Sequence, residues 1–370
     1  MVSQDKWKLS VKISIVMCLG LLFLVLAGST WDYSNSSQFC ASCHTMEFVT
    51  SSYATSPHAE VSCTSCHLGV GFSPVMLFKK ATEVNQVVKN VTGTYEKPIR
   101  IRNQVPVEKS CESCHYTDVF YNQRLKVVNT YNQDEENTKM TQGMLLNVGG
   151  GTEAKGIHWH VENRVIFGKD EAGNISYVEV ETPKGEIGTY LNTELPDAIS
   201  FKQMDCVDCH NRVAHRIYEP SKAVDQYLLD NRIDTSLPYA KREIVLILES
   251  LIEQPEELWE DKFNQIVDFY RQNYPHVYNE RKEDIDALPN LLQDIAREVL
   301  FPSMEVTWET YNDNLNHDGC FQCHNTNFKL QENSVPASSL PETVRVDCTL
   351  CHSMPVSSGE EGKALTIQFK

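Results

Sequence analysis

Twelve of the thirteen cysteines in this 370-residue chain fall into six copies of one pattern, Cys-x-x-Cys-His. The copies are Cys40, Cys43, His44; Cys63, Cys66, His67; Cys111, Cys114, His115; Cys206, Cys209, His210; Cys320, Cys323, His324; and Cys348, Cys351, His352. Two cysteines three apart lie one helical turn apart on one face. There they can form thioethers to the two vinyl groups of one porphyrin, and the next histidine points under the ring toward the iron. The pattern is the attachment site for c-type haem. A disulfide framework would not set a histidine after every second cysteine, and zinc sites pair two half-motifs without demanding the histidine. Six covalently bound haem c groups are therefore expected, and they constrain the fold. Porphyrins would form much of the apolar core, so the expected class is a multihaem cytochrome c, mostly α and irregular, with a small β-region.

Each iron takes a second axial ligand or leaves that position open. Outside the motifs six histidines remain: His58, His158, His160, His215, His276 and His317. The first motif continues His44-Thr-Met46, which adds a methionine. His58, His215 and His317 lie within five residues of a motif and are expected to ligate haems, though not necessarily their sequence neighbours. His158 and His160 stand in GIHWHVENRVIF, whose alternation reads as a strand with both histidines on one face, able to serve two adjacent haems. His276, in a polar helical stretch, reads as a surface residue. The count then closes with Met46 for the first haem and five histidines for the others. Doubly ligated iron carries electrons; an open iron binds substrate.

Ile13 to Gly28 is an uncharged apolar run preceded by Lys6, Lys8 and Lys12 and followed by Trp31 and Tyr33. This is the signature of an N-terminal transmembrane helix whose positive flank stays inside. A cleaved signal segment is the other reading. Either way the rest of the chain is exported, as haem attachment outside the cytoplasm requires. The location expected is the bacterial inner membrane, single-pass, with the bulk on the periplasmic side. Fifty acids against 33 bases leave a net charge of −17. That excludes a nucleic-acid partner, whose phosphates need a basic face, and favours a cationic redox partner.

The motif intervals, first cysteine to first cysteine, are 23, 48, 95, 114 and 28 residues. Four regions are expected: a cytoplasmic stub and anchor (1–30), a three-haem domain (31–125), a β-rich insertion carrying distal histidines (126–205), and a helical three-haem domain (206–370). Alternation in YVEVET and EIGTYLN supports the β-region. In EELWEDKFNQIVDFYRQ the apolar residues recur at helical spacing and read as core.

The anchor, the sequence CASCHTM and three closely set motifs resemble the NapC/NirT family of membrane-anchored multihaem cytochromes c. The resemblance covers residues 1–120, and the remainder is similar to longer members. It implies oxidation of quinol, menaquinol included, at the bilayer face and electron delivery to a periplasmic or outer-membrane acceptor. It implies that the haem beside Met46 lies nearest the quinol and that charged residues in FSPVMLFKKATEVNQVVKN line the quinol pocket. Lys79 or Lys80 would be the basic residue, with lipid anchoring as the other role for both. The family's aspartate has no match here: Asn85 and Gln86 stand in its place, and Glu83 is the nearest carboxylate. The family's usual four haems become six. Two further readings stay open: a terminal reductase of a small nitrogen or sulfur substrate with an open iron, the sixth motif being its first candidate, and a cytochrome subunit of a larger quinol-oxidising complex.

Overall fold

A computed structural model describes residues 2–71, 74–101, 105–115, 122–149, 156–182, 185–192, 198–331 and 340–358. The chain divides into two compact units, Met1–Ser110 and Cys111–Lys370.

In the first unit, helix α1 (Val2–Ser34) runs for 33 residues, about 50 Å at 1.5 Å per residue. Its apolar side chains face outward all round, with Val16, Phe23 and Leu24 each about two-thirds exposed. A helix apolar on every side is stable only where lipid or protein surrounds it, and Trp7–Ser34 is long and apolar enough to cross a bilayer. Ser36 then caps the N-terminus of α2 (Ser37–Ala41), accepting the Phe39 amide at 3.2 Å. Helices α3 (Glu47–Ala54), α4 (Cys63–His67) and α5 (Pro74–Thr92) follow. The core is small: Phe48, Leu68, Met76, Val105 and Val107 are buried. Gly69, at φ +91°, turns the chain after the second motif, where an added Cβ would lie 3.3 Å from the Lys109 carbonyl.

The second unit combines two sheets with a helical bundle. Strands β1 (Gln123–Tyr131) and β2 (Lys139–Asn147) pair antiparallel. A second sheet runs β6-β3-β4-β5-β9, from β3 (Arg164–Lys169), β4 (Ile175–Glu181), β5 (Ile187–Leu191), β6 (Ser200–Gln203) and β9 (Lys329–Leu330). Its buried face is Val165, Phe167, Val178, Val180 and Tyr190, closed by Phe328; the alternation seen in the sequence is this face. Short helices α6 (Trp159–Glu162) and α7 (Cys206–Cys209) flank it. The bundle is α8 (Pro220–Leu229), α9 (Ala240–Ser250), α10 (Trp259–Asn273), α11 (Pro275–Glu280) and α12 (Lys282–Val299), followed by a hairpin of β7 (Leu300–Phe301) and β8 (Val306–Thr307). Leu248, Ile266, Tyr270, Ile285 and Leu292 form its centre. Phe263, Ile266, Val267 and Tyr270 are core, as expected, whereas Leu258, expected in the same stripe, is 45% exposed because it precedes α10 and does not share its inward face. Helix α13 (His317–Cys320) opens the fifth motif, and β10 (Val356–Ser358) adds to β2, giving the order β1-β2-β10.

The division differs from the four regions read from sequence. The first unit stops short of the third motif, and the β-region and the helical region behave as one body. The physical reason is a buried junction. Asp225 of α8 accepts the Tyr131 amide at 2.8 Å and pairs with Lys241 of α9 at 2.7 Å, and the same ammonium donates to the Tyr131 carbonyl at 2.6 Å. Both charged side chains are over nine-tenths buried. Farther along the chain, β9 and β10 return to complete the two sheets.

Candidate functional site

Each motif sits on a short helix or tight turn, as two cysteines facing one porphyrin require. The second and fourth occupy α4 and α7, and the first ends α2 and continues into a 3-10 turn over His44–Met46. Asp205 caps α7 in a full capping box with Asp208, and Asn316 caps α13 by accepting the Gly319 amide. Gly319 is required: a Cβ there would lie 2.1 Å from the Asn314 carbonyl oxygen.

Three of the expected distal histidines stand opposite motif histidines. His160 faces His324, with Nε2 atoms 3.4 Å apart and ring centroids 5.7 Å apart. His158 faces His210 at 6.2 Å, with rings nearly parallel. His317 faces His352 at 6.0 Å. Two metal–imidazole bonds of about 2 Å in line put nitrogens about 4 Å apart and ring centres about 6 Å apart. The spacing fits one iron between each pair.

The tautomers fit as well. His160 Nδ1 lies 2.8 Å from the Ile157 carbonyl, His324 Nδ1 2.7 Å from that of Arg345, and His352 Nδ1 2.7 Å from that of Ser353. A carbonyl only accepts, so each Nδ1 carries the proton and each Nε2 presents a lone pair. Burial pushes His158, His160 and His210 below the ordinary histidine value, which keeps these rings neutral. Two lone pairs facing each other at 3.4 Å repel unless a cation lies between them. Among the described residues no three or more His, Cys, Asp or Glu converge as a self-sufficient metal site. The histidines meet in twos, which suits a metal whose other four ligands come from a porphyrin.

One expectation needs correcting. His158 and His160 do not lie on a strand: His158 precedes α6 and His160 is inside it. Gly156, at φ +102°, starts this turn, packed so closely that a Cβ would lie 2.5 Å from the Asn147 carbonyl oxygen. The helical step, unlike a strand's alternation, aims the two rings at different motifs.

The other candidates are placed as follows. Met46 is half-buried, with its amide on the Cys43 carbonyl at 2.9 Å. His44 is exposed and meets Tyr95 edge-on at 6.1 Å. His58 is half-buried in a loop drawn toward α3, where the Tyr53 hydroxyl reaches the Ala59 and Val61 carbonyls. Burial lowers His67. His115 begins the second unit close enough to His210 to disfavour its protonation. His215 is half-buried after the fourth motif. His276 is a surface residue, paired with Glu280 at 3.3 Å. Lys80 lies over the Trp31 ring at 4.5 Å and donates to Asn35 Oδ1 at 2.5 Å. Lys79 is half-buried beside it on α5, and the Glu83 side chain lies outside the described residues.

The motifs also have an order in space. Cys63 is hydrogen-bonded with Cys40 in the first unit. In the second, Cys206 is close enough to interact electrostatically with Cys111, Cys209 with Cys320, and Cys351 with Cys320. Motifs three to six thus neighbour one another in chain order. Sequence reasoning missed the three carbonyls that fix the imidazoles, because a backbone acceptor leaves no mark on residue type. It also missed Arg212, which stacks on Tyr311 at 4.5 Å beside the fourth motif.

Residues 2–141 match the NapC/NirT cytochrome c family, N-terminal region, and residues 293–353 match cytochrome c554 and c-prime. The cytochrome c-type protein ImcH of Geobacter sulfurreducens is 33% identical over 356 residues, spanning 90% of this chain and 68% of that protein. The chain belongs to the NapC/NirT cytochrome c family. The cytochrome c nitrite reductase subunit NrfH of Nitratidesulfovibrio vulgaris is 28% identical over 99 residues, covering 26% of this chain and 62% of its own length. A putative tetraheme cytochrome c of Allochromatium vinosum is 27% identical over 130 residues, covering 28% of this chain and 70% of its own length. No solved structure matches significantly. As a NapC/NirT member the protein is a membrane-anchored multihaem cytochrome with covalently bound haem c.

Proposed function

We propose that this chain carries six haems, accepts electrons from a quinol at the outer face of the bacterial inner membrane, and delivers them to an exported redox partner. The observation that carries the electron-transfer reading is the opposed pair His160 and His324, each with its Nδ1 proton spent on a carbonyl. Haem c, when bound, supplies a one-electron iron couple. The protein's own residues do the rest. The twelve motif cysteines would tether the porphyrins, and the six motif histidines together with the distal candidates would hold their irons. His158, His160 and His317 serve the fourth, fifth and sixth motifs. Met46, His58 and His215 would be left for the first three, a ligand count that would close each iron to small substrates. The pairing of His317 with His352 speaks against a terminal reductase open at the sixth motif.

Quinol oxidation also releases protons. Lys80 stands beside Trp31 and Asn35 at the end of the anchor, Lys79 sits one position before it, and Glu83 is the nearest carboxylate. Lys79 and Lys80 are our candidates to donate hydrogen bonds to the quinol oxygens, and Glu83 is our candidate to take its protons. A second reading, a cytochrome subunit of a larger quinol-oxidising complex, is favoured by the likeness to a protein named as a nitrite reductase subunit.

The test mixes the oxidised, full-length protein in detergent with a menaquinol analogue and follows the haem α-band. A variant starting near Trp31 is the control. Rapid reduction of the anchored form alone is the expected result. No reduction of either form would overturn the quinol reading and leave a relay fed by another subunit.

A further inference from the structure

Helix α5 carries an apolar stripe that the described residues of its own unit leave uncovered. Val84, Val87, Val88 and Val91 are 59%, 44%, 52% and 83% exposed. At about 100° per residue these four fall within one arc of about 100°. Protein contacts lie elsewhere on the helix: Met76 near its start is buried, and Asn90 donates to the Thr45 hydroxyl at 3.0 Å, between His44 and Met46 of the first motif, while Phe78 is a single exposed apolar residue off the arc. Four outward β-branched residues on one arc are not what a solvated helix face holds. Two neighbours have matching chemistry, the porphyrin of the first motif and the bilayer; Asn90, which points at that motif, lies on the helix about 110° from the centre of the valine arc, which leaves the arc to the bilayer. Lys80 of this helix reaches Trp31 and Asn35 at the end of α1, which brings the start of α5 to the point where the anchor leaves the membrane. Lys79 and Lys89 on its polar sides can meet lipid phosphates.

We propose that α5 lies in the headgroup layer with this valine stripe turned into the acyl boundary, so the protein has a second membrane contact besides its anchor. Through Asn90 and Thr45 the helix then fixes the height of the first motif above the bilayer. The inference does not depend on which donor reduces the protein.

The test uses the full-length, haem-loaded protein in vesicles of phosphatidylethanolamine and phosphatidylglycerol, with Cys18→Ala to remove the one cysteine outside the motifs. Val88→Cys is compared with Thr82→Cys, exposed on the opposite side of α5. A membrane-impermeant maleimide should modify position 88 on the order of tenfold more slowly, because the attacking thiolate is charged and the headgroup layer disfavours it. A bilayer-partitioned aryl diazirine should insert into the peptide bearing Val84 to Val91. Equal maleimide rates at the two positions would overturn the proposal. So would slow labelling without carbene insertion, which would make the stripe a contact between copies where the Val88→Cys variant forms a disulfide-linked dimer and a porphyrin seat where it does not.

Discussion

His160 is held by one carbonyl and directed at one histidine, and each contact has its own consequence. The bond to Ile157 fixes which nitrogen is free; the position of His324 fixes what that nitrogen addresses. Replacing the ring with a methyl group removes the ligand and leaves the fifth attachment motif intact. We expect His160→Ala to keep all its haems by pyridine haemochrome assay, yet to bind one carbon monoxide per chain when reduced, where the parent binds none. His317→Ala should do the same at a different haem, and the double variant should bind two. His276→Ala, altered at a surface ion pair, should bind none. At this scale the six motifs can be read from the chain alone, because the pattern is local. The distal pairing was not. His317 stands three residues before Cys320, but it faces the sixth motif because Ser353 hydrogen-bonds Leu145 of β2 and β10 folds back onto that strand. Contacts across about 200 residues leave no periodic trace.

The elements were legible wherever one side of them faces protein. Strands β4 and β5 alternate because one face packs on Phe167 and Phe328, and α10 repeats at helical spacing because its stripe packs on α12. The stretch around Trp159 misled because polar and apolar residues alternate in four-residue helical turns as readily as in strands; the deciding residue was Gly156, whose backbone no alternation reveals. What joins the elements is polar and buried. Lys241, Asp225 and the backbone of Tyr131 hold the β1-β2 sheet to the bundle. Removing one partner of such a pair leaves a bare charge in the interior. Lys241→Met should cost about 3–5 kcal/mol, read by urea unfolding of the haem-loaded protein. Lys241→Met with Asp225→Leu should recover only part of that loss, since no buried charge remains but the Tyr131 amide and carbonyl lose their partners.

At the scale of the molecule the charge is unevenly spread. Residues 219–300, the haem-free bundle, contain 18 acids and 9 bases, about half of the net −17. Such a surface attracts cations at range and loses that reach as salt screens it. The reduced protein should therefore pass electrons to a cationic acceptor several-fold faster at about 10 mM than at about 200 mM ionic strength, with the opposite trend for an anionic one; stopped-flow reoxidation distinguishes them. Neither the total charge nor the helical spacing reveals this concentration until the bundle is recognised as a body without motifs. One small feature governs how such a molecule is made. His158 and His160 sit two residues apart in one turn, yet they answer to motifs whose first cysteines are 114 residues apart in the chain. That turn is a double clasp: neither hook can close until the cofactor for its own side has been delivered. On the proposed pairing, an empty fourth site leaves His158 unseated and loosens the short turn that also carries His160, so the fifth site depends on the fourth. A chain blocked at Cys206 and Cys209 should emerge with its fifth haem attached but loosely coordinated, visible as a high-spin component in its electronic spectrum.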